Sequence, residues 1–374
     1  MTQSAAMSQE TRSASPPRQR RQVAEMSRRS WRARPDNLTT IVADAGAPHP
    51  RVDLADARLA IQAPFHLEAT VRVLQRRPAN RVDVWDRNRY QRVLTTADGP
   101  VLIEVHNRGT IADPDVRFSV QAGNPSAATR VALEQTVRRV LGLDLHPESV
   151  QTLAEAELRL RATALALRGM RPPRFAELFE AFASVVPFQQ LSLDAGVAIM
   201  GRLTDRFGEP LEHEGHRYRA FPTARAVANA RLDALRRCGL SRGKAQTLRY
   251  LAKAIESGEL TEAAIAGMST SHALGHLVDL PGIGPWSAGV VLLRGFGRLD
   301  VFPPGDVGAL RGLRALLHLR AGQSLEPVVK RFGAHRGYLY FYALGASLLA
   351  KGLIHPAQSF EASNGLPRIR GDSM

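Results

Sequence analysis

Residues 280–289 read LPGIGPWSAG, which puts three glycines, two prolines and a tryptophan into ten positions of an otherwise helix-rich stretch. Pro281-Gly282 has to end one helix, a single apolar residue follows, and Gly284-Pro285 has to begin another. Proline suits a first helical turn, where its missing N–H costs nothing. Two helices must therefore meet here at a bend almost bare of side chains, and any fold of this chain has to accommodate that bend.

With 374 residues, 44% of them hydrophobic, the chain can form two or three globular domains around a sizeable core. No apolar run approaches the roughly eighteen residues that a membrane span needs, and the longest near the centre is Val290-Val291-Leu292-Leu293. The single cysteine, Cys238, excludes an intramolecular disulfide, a cysteine-rich zinc site and a cysteine-held iron–sulfur cluster. A reducing, cytoplasmic setting is the expectation. The formal charge of +15 points to a polyanionic partner. Eight arginines against Glu10 and Glu25 lie in residues 1–35, yet the remainder of the chain stays basic.

Residues 1–50, rich in Ser, Gln, Pro and Arg, read as a disordered basic arm, either a solvated tail or a tether to phosphates. Residues 51–170 read as an antiparallel α+β domain. There Phe65, Leu67, Ala69, Val71 and Val73 alternate with polar residues as in a half-buried strand. Val82–Tyr90, Val101–His106 and Val116–Gln121 are further strand candidates, with Asp98-Gly99 as a hairpin turn. Residues 171–356, opened by Arg171-Pro172-Pro173, read as all-helical, and 357–374 as a tail. The fold class expected is mainly α, with an N-terminal α+β domain. Helices are predicted near 175–186, 193–207, 223–236, 242–256, 262–267, 271–278, 286–296, 307–318 and 335–353.

Three roles compete for the Gly-rich decapeptide. A dinucleotide fingerprint needs G-x-G-x-x-G/A after a strand, whereas Gly282 and Gly284 are followed by Ser287 and preceded by a helical segment, so that role fails. An ordinary turn between helices is the second. The third is a helix-hairpin-helix, in which free amides and a helix start face a phosphate oxygen. Glycines where a chain must approach a ligand closely favour the third. A helix start carries roughly half a positive charge and grips phosphate without reading sequence.

LPGIGPWSAG resembles the hairpin of the helix-hairpin-helix DNA glycosylase superfamily, and LDVFPPGDVGALRG (299–312) resembles the Gly/Pro-rich loop and aspartate that complete it. The twenty residues from Trp286 to Asp306 are similar to those of the bacterial 3-methyladenine DNA glycosylase II branch. VVPFQQLSLDAG, GLSRGKA and FGAHRGYLYFYAL are similar to further segments of that branch, and LGLDLHP and the strand-bearing region to its N-terminal domain. The resemblance implies a monofunctional enzyme that excises alkylated bases from double-stranded DNA, works as a monomer and needs neither metal nor cofactor. It makes Asp306 catalytic. Gly282, Ile283, Gly284, Trp286, Ser287 and Ala288 become the phosphate-binding hairpin, and Gln189, Gln190 and Leu191 the wedge that fills the gap left by an everted nucleotide. Trp286, Val290 and His335 become base-pocket positions.

The chemistry agrees with an aspartate. Breaking an N-glycosidic bond builds oxocarbenium character on the sugar, which a nearby negative charge stabilises more in the transition state than in the ground state. A Schiff-base lyase would need a lysine in the motif, and the four lysines Lys244, Lys253, Lys330 and Lys351 all lie outside it. A non-catalytic DNA binder shares the hairpin and the charge and differs only in lacking a working carboxylate and base pocket. HEGH (213–216) lacks metal-ligand spacing and reads as a solvated turn. Arg242 and Lys244 flank a helix start, where they either touch phosphate or face solvent.

Overall fold

The computed structural model describes residues 56–146 and 148–357. The expected arm over 1–50, and all but the first residue of the expected tail, lie outside the described residues. Five antiparallel strands, β1 (Ala57–Arg58), β2 (Val84–Asp86), β3 (Arg89–Thr96), β4 (Gly99–Asn107) and β5 (Val116–Ala122), form one sheet in the order β1-β5-β4-β3-β2. The β3–β4 turn falls where Asp98-Gly99 predicted it: Thr96 pairs with Gly99, whose φ is +99°. The expected strand over Val82–Tyr90 is instead two strands. Arg87 (φ +45°) and Asn88 (φ +62°) are both left-handed and make a two-residue turn between β2 and β3.

The expected strand over Phe65–Val73 is instead a helix, α1 (Leu67–Gln75). The alternation was misleading because a helical period was present beside it: Leu67, Val71 and Leu74 share one face, and Glu68, Arg72 and Gln75 another. Polar residues are retained inside because each finds a partner. Glu68 accepts from His355, and Thr70 donates to the His66 carbonyl while accepting the Arg171 N–H. His66 caps the helix, Nδ1 accepting from the Ala69 amide.

Helix α2 (Ala127–Val140), N-capped by Ser126, packs with α1 on one face of the sheet. Leu67, Val71 and Leu74 of α1 and Leu133, Val137 and Val140 of α2 close over Tyr90, Val101, Ile103, Val105, Phe118 and Val120. After α3 (Glu148–Ala156) and α4 (Arg161–Ala166) come α5 (Leu178–Ala183) and α6 (Leu193–Phe207). The part expected to be all-helical then departs from expectation with a hairpin, β6 (Pro210–His213) and β7 (His216–Arg219). Leu211 and Tyr218 of that hairpin pack on Val93, Leu102 and Ala122 across the other face of the main sheet. HEGH is the hairpin's tip, with Glu214 (φ +48°) and Gly215 (φ +74°) both left-handed. Among the described residues no cluster of three His, Cys, Asp or Glu residues could hold a metal, and no helix is long and apolar enough to cross a membrane.

The remaining helices are α7 (Ala224–Ala228), α8 (Leu232–Arg237), α9 (Arg242–Glu256), α10 (Glu262–Ala266), α11 (Thr270–Val278), α12 (Pro285–Val290), α13 (Val307–Leu316), α14 (Glu326–Phe332) and α15 (Gly337–Leu349). Helix α12 continues into a π turn, Val291–Gly295. They divide between two apolar cores. One gathers α5 to α12; the other gathers α3, α4 and α13 to α15. The π turn lies on the seam, since Val291 and Leu292 belong to the first core and Leu293 to the second. The sheet is tied in by charge. Buried Arg92 of β3 donates to Asp83 at 2.9 Å and also to Glu180 of α5. Arg171 is fully buried, its guanidinium donating to the Gln62 carbonyl at 2.6 Å.

Candidate active site

The two glycines of the bend between α11 and α12 differ in what they require. Gly282 has φ +79°, and a Cβ there would stand 2.0 Å from Thr247 Oγ1 of α9, so conformation and space both require glycine. Gly284 is the N-cap of α12 in extended conformation and offers no side-chain cap. A Cβ at Gly284 would meet nothing within 4 Å, so the helix entrance opens outward. With Pro285 at the first position, the amides of Trp286 and Ser287 have no preceding helical carbonyl to bond. The amide of Ala288 is committed to the Gly284 carbonyl at 2.9 Å, and that of Ile283 to Leu280 at 3.1 Å. Ile283, Ser287 and Ala288 bury their side chains. What the hairpin presents is therefore backbone at Gly282, Gly284 and the first turn of α12.

The other end of this helical segment is closed. Arg139 of α2 donates to the Gly295 carbonyl at 2.9 Å and Arg174 donates to the same oxygen. Two cations at a helix C-terminus complement its dipole. Burial, assisted by the neighbouring Arg139, pulls the Arg174 guanidinium down to about 10. Arg294, buried in the π turn, stacks on Phe175 with its guanidinium 4.7 Å from the ring centre.

Asp306 reaches the site from the second core. Pro303, Pro304 and Gly305 (φ +70°) bring the chain back against α12. Gly289 permits the approach, since a Cβ there would lie 2.9 Å from Pro304 Cδ. Asp306 then opens α13: Oδ1 accepts from the Ala309 amide at 2.8 Å, and Oδ2 accepts from the Trp286 indole N–H at 2.9 Å. An aspartate at a helix start can serve as its cap as well as carry a charge toward a ligand. One oxygen caps the helix, and the other faces the hairpin. Both Asp306 and Trp286 are half-buried.

The Gln189–Leu191 turn stands beside the hairpin. Gln189 Nε2 donates to the Gly282 carbonyl and to Ser287 Oγ, each at 2.9 Å, so its side chain binds the turn to the bend. Gln190 and Leu191 are exposed, Leu191 to 45%. The chain turns tightly here, with the Leu191 amide donating to the Phe188 carbonyl at 3.2 Å. Gln189 has φ −54° and ψ 123°, and Gln190 has φ +55°. These are the angles of a type II turn with glutamine where glycine is preferred, a conformation that costs about 1–2 kcal/mol.

Other expected positions make different contacts. Val290 is 4% exposed and packs inside the first core. The His335 ring is 3.3 Å from Ser149 Oγ of α3, so of the three expected base-pocket residues Trp286 is the one bonded to Asp306. Lys244 is half-buried, and its side chain folds back onto the protein. Its ammonium donates to the Gln189 carbonyl at 2.6 Å and to that of Pro187 at 3.2 Å, and burial lowers its pKa. Sequence reasoning missed three residues: Lys244 as a brace, Thr247 as the floor beneath Gly282, and Gly289 as the gap for the proline loop. Of these only Gly289 left a signal, as a third glycine in the decapeptide.

Two families match successive parts of the chain. Residues 56–177 match the AlkA N-terminal domain, and residues 183–332 match the HhH-GPD superfamily base excision DNA repair protein. The chain is 32% identical over 172 residues to the probable bifunctional transcriptional activator/DNA repair enzyme AlkA of Mycobacterium tuberculosis, a match covering 46% of this chain and 34% of that protein. It is 30% identical over 197 residues to DNA-3-methyladenine glycosylase 2 of Escherichia coli, covering 52% of this chain and 66% of that protein. The chain thus spans from about a third to just under two thirds of these two relatives. Among solved structures, the 3-methyladenine DNA glycosylase from Archaeoglobus fulgidus superposes with a TM-score of 0.65 at 25% identity, over 78% of this chain and 99% of that one.

Proposed function

For a chain that joins an AlkA N-terminal domain to an HhH-GPD domain, we propose the activity of a monofunctional DNA glycosylase that excises alkylated bases from damaged double-stranded DNA. The observation that carries this reading is the placement of Asp306 Oδ2, 2.9 Å from the Trp286 indole nitrogen, in the first turn of the helix whose entrance is open. Backbone that can grip a phosphate and a carboxylate that can face the sugar belong to one constellation.

In this reading the open entrance of α12 holds one phosphate of the damaged strand. Eversion of the nucleotide costs a few kcal/mol, less for a damaged pair, and Gln190 and Leu191 fill the space it leaves. The Asp306 carboxylate then faces the sugar, stabilising positive charge as the glycosidic bond stretches and aligning the water that attacks. Trp286 contributes twice, its N–H orienting the carboxylate and its ring offering a π face to a cationic alkylated base. Such a base is already a good leaving group, so the site needs no general acid. No lysine stands between residues 280 and 306 to form a Schiff base, so the product is an abasic site in an intact strand. The lone cysteine, Cys238, is a buried free thiol, in keeping with a cytoplasmic setting, and we read the protein as a monomer.

The test is to incubate the protein with pooled alkylated, deaminated and oxidised DNA and identify the bases set free. Release of 3-methyladenine or 7-methylguanine by the wild type, abolished in Asp306→Asn while DNA binding persists, is the expected result. Tight binding with no base released would favour the non-catalytic binder, and borohydride trapping on DNA would favour a lyase.

A further inference from the structure

The turn before α6 holds a residue that ought to relax. In a turn of this geometry, rotating the peptide between residues 189 and 190 by half a revolution gives a type I turn, in which Gln190 returns to the right-handed region and its strain disappears. The chain ends would barely move. What differs is the direction of the Gln189 carbonyl and of the Gln190 side chain. The observed orientation points that carbonyl at the Lys244 ammonium, 2.6 Å away. Lys244 also holds the preceding turn through Pro187, while the Gln189 amide is fastened to the bend at Gly282 and Ser287. Strained backbone persists only where its surroundings over-determine it, and it gathers at functional sites.

We propose that Lys244 is a positioning residue that selects between the two orientations of the 189–190 peptide, and so aims Gln190 out of the protein, beside the exposed Leu191, as a wedge. The selection works through charge. An ammonium bonded to a carbonyl is a charge-assisted hydrogen bond, stronger than a neutral one, and flipping the peptide would replace that oxygen with an N–H. Gln189 completes the device by locking the turn to the element that would bind phosphate. Wedge and grip are thereby one rigid piece. This assigns Lys244 inward, to protein carbonyls, rather than outward to the nucleic-acid backbone.

The inference rests on the glycosylase reading for its consequence but not for its structure, and the two are separable. The crystal structure of Lys244→Met, which keeps the stem and removes the charge, should show Gln190 at negative φ with the Gln189 carbonyl reversed. Retention of positive φ with the carbonyl unmoved would overturn the proposal whatever the enzyme does. The second measurement is single-turnover base release from one lesion in two settings, paired in a duplex and already unpaired in a bulge. Lys244→Met should lower the ratio of paired to bulged rates by about tenfold, because only the paired lesion needs the wedge. The double variant Lys244→Met/Gln190→Gly, in which glycine makes the left-handed position unstrained, should regain the observed backbone but not the ratio, since it lacks the side chain. Equal losses on both substrates, as global destabilisation would give, would also overturn it. Asp306→Asn should lose both rates together. Absence of release by the wild type from either substrate would defeat the glycosylase reading and leave the crystallographic outcome to decide the brace.

Discussion

Two helices, α12 and α13, begin at the same site and are finished in opposite ways. The entrance of α12 has glycine as its cap, proline next, and open space around it. The entrance of α13 is closed by a carboxylate that accepts its Ala309 amide at 2.8 Å. One leaves its positive end exposed, and the other neutralises it with Asp306. The contrast shows that a helix start can serve as an anion receptor or as a mount for an anionic side chain. The difference is made by one residue, and the sites are joined by the Trp286–Asp306 hydrogen bond.

The sharpest way to break this comparison is to separate the two duties of Asp306. Asp306→Asn and Asp306→Ala should both lower base release about 10²–10⁴-fold. Asparagine caps as well as aspartate, so only the alanine variant should also lose about 1 kcal/mol of stability. Thermal unfolding and single-turnover release, measured side by side, check this. If alanine retained release, the carboxylate would be a cap and nothing more.

A smaller effect comes from making the first entrance like the second. Gly284 is at φ −95° with no atom near its missing Cβ, so Gly284→Asp should fold without strain. The new carboxylate should cap α12, adding a few tenths of a kcal/mol, and should weaken DNA binding on the order of tenfold by turning dipole attraction into repulsion. Fluorescence anisotropy with a short duplex would read it. An unchanged affinity would mean that phosphate is held elsewhere.

The smallest effect concerns the entrance of α1, where a neutral imidazole is the cap. His66 Nδ1 accepts from Ala69 and Nε2 lies 2.9 Å from the His355 carbonyl, so protonating Nδ1 would break the cap. Burial lowers the pKa of His66 in the folded protein, against opposing contributions from its bond to the His355 carbonyl and from the Glu68 charge. The unfolded chain therefore takes up this proton first, and stability falls as pH drops below the unfolded value of about 6.5. His66→Asn, a cap without a titrating proton, should flatten the wild-type slope between neutral and mildly acid pH in chemical denaturation. Parallel slopes would remove His66 from the account.

Much of the helical framework was legible in the residues. α6 and α9 occupy the predicted 193–207 and 242–256, because serine caps and glycine or polar stops bracket clear amphipathic periods. Legibility failed at α1, where a short segment carries a period of two and a helical period together, the latter in Leu67, Val71 and Leu74 against Glu68, Arg72 and Gln75. It failed again at β6–β7, four-residue strands too short to show alternation. Within the site, the bend could be read because local backbone requirements fix glycine and proline in sequence, whereas Asp306 was singled out by the resemblance. The Lys244–Gln189 contact joins residues 55 positions apart, and nothing in either neighbourhood announces it.

The order of residues by itself determined where the helices stop, where the bend at 282–285 must fall, and which carboxylate follows it, since those depend on φ preferences and capping within a few residues. Only the packed molecule decided that Asp306 meets Trp286, that Lys244 turns inward, and that Gln190 stays in a left-handed conformation. Each of those depends on helices from different parts of the chain arriving at one seam. Contact at hydrogen-bond distance is a property of that arrangement, which no local preference encodes.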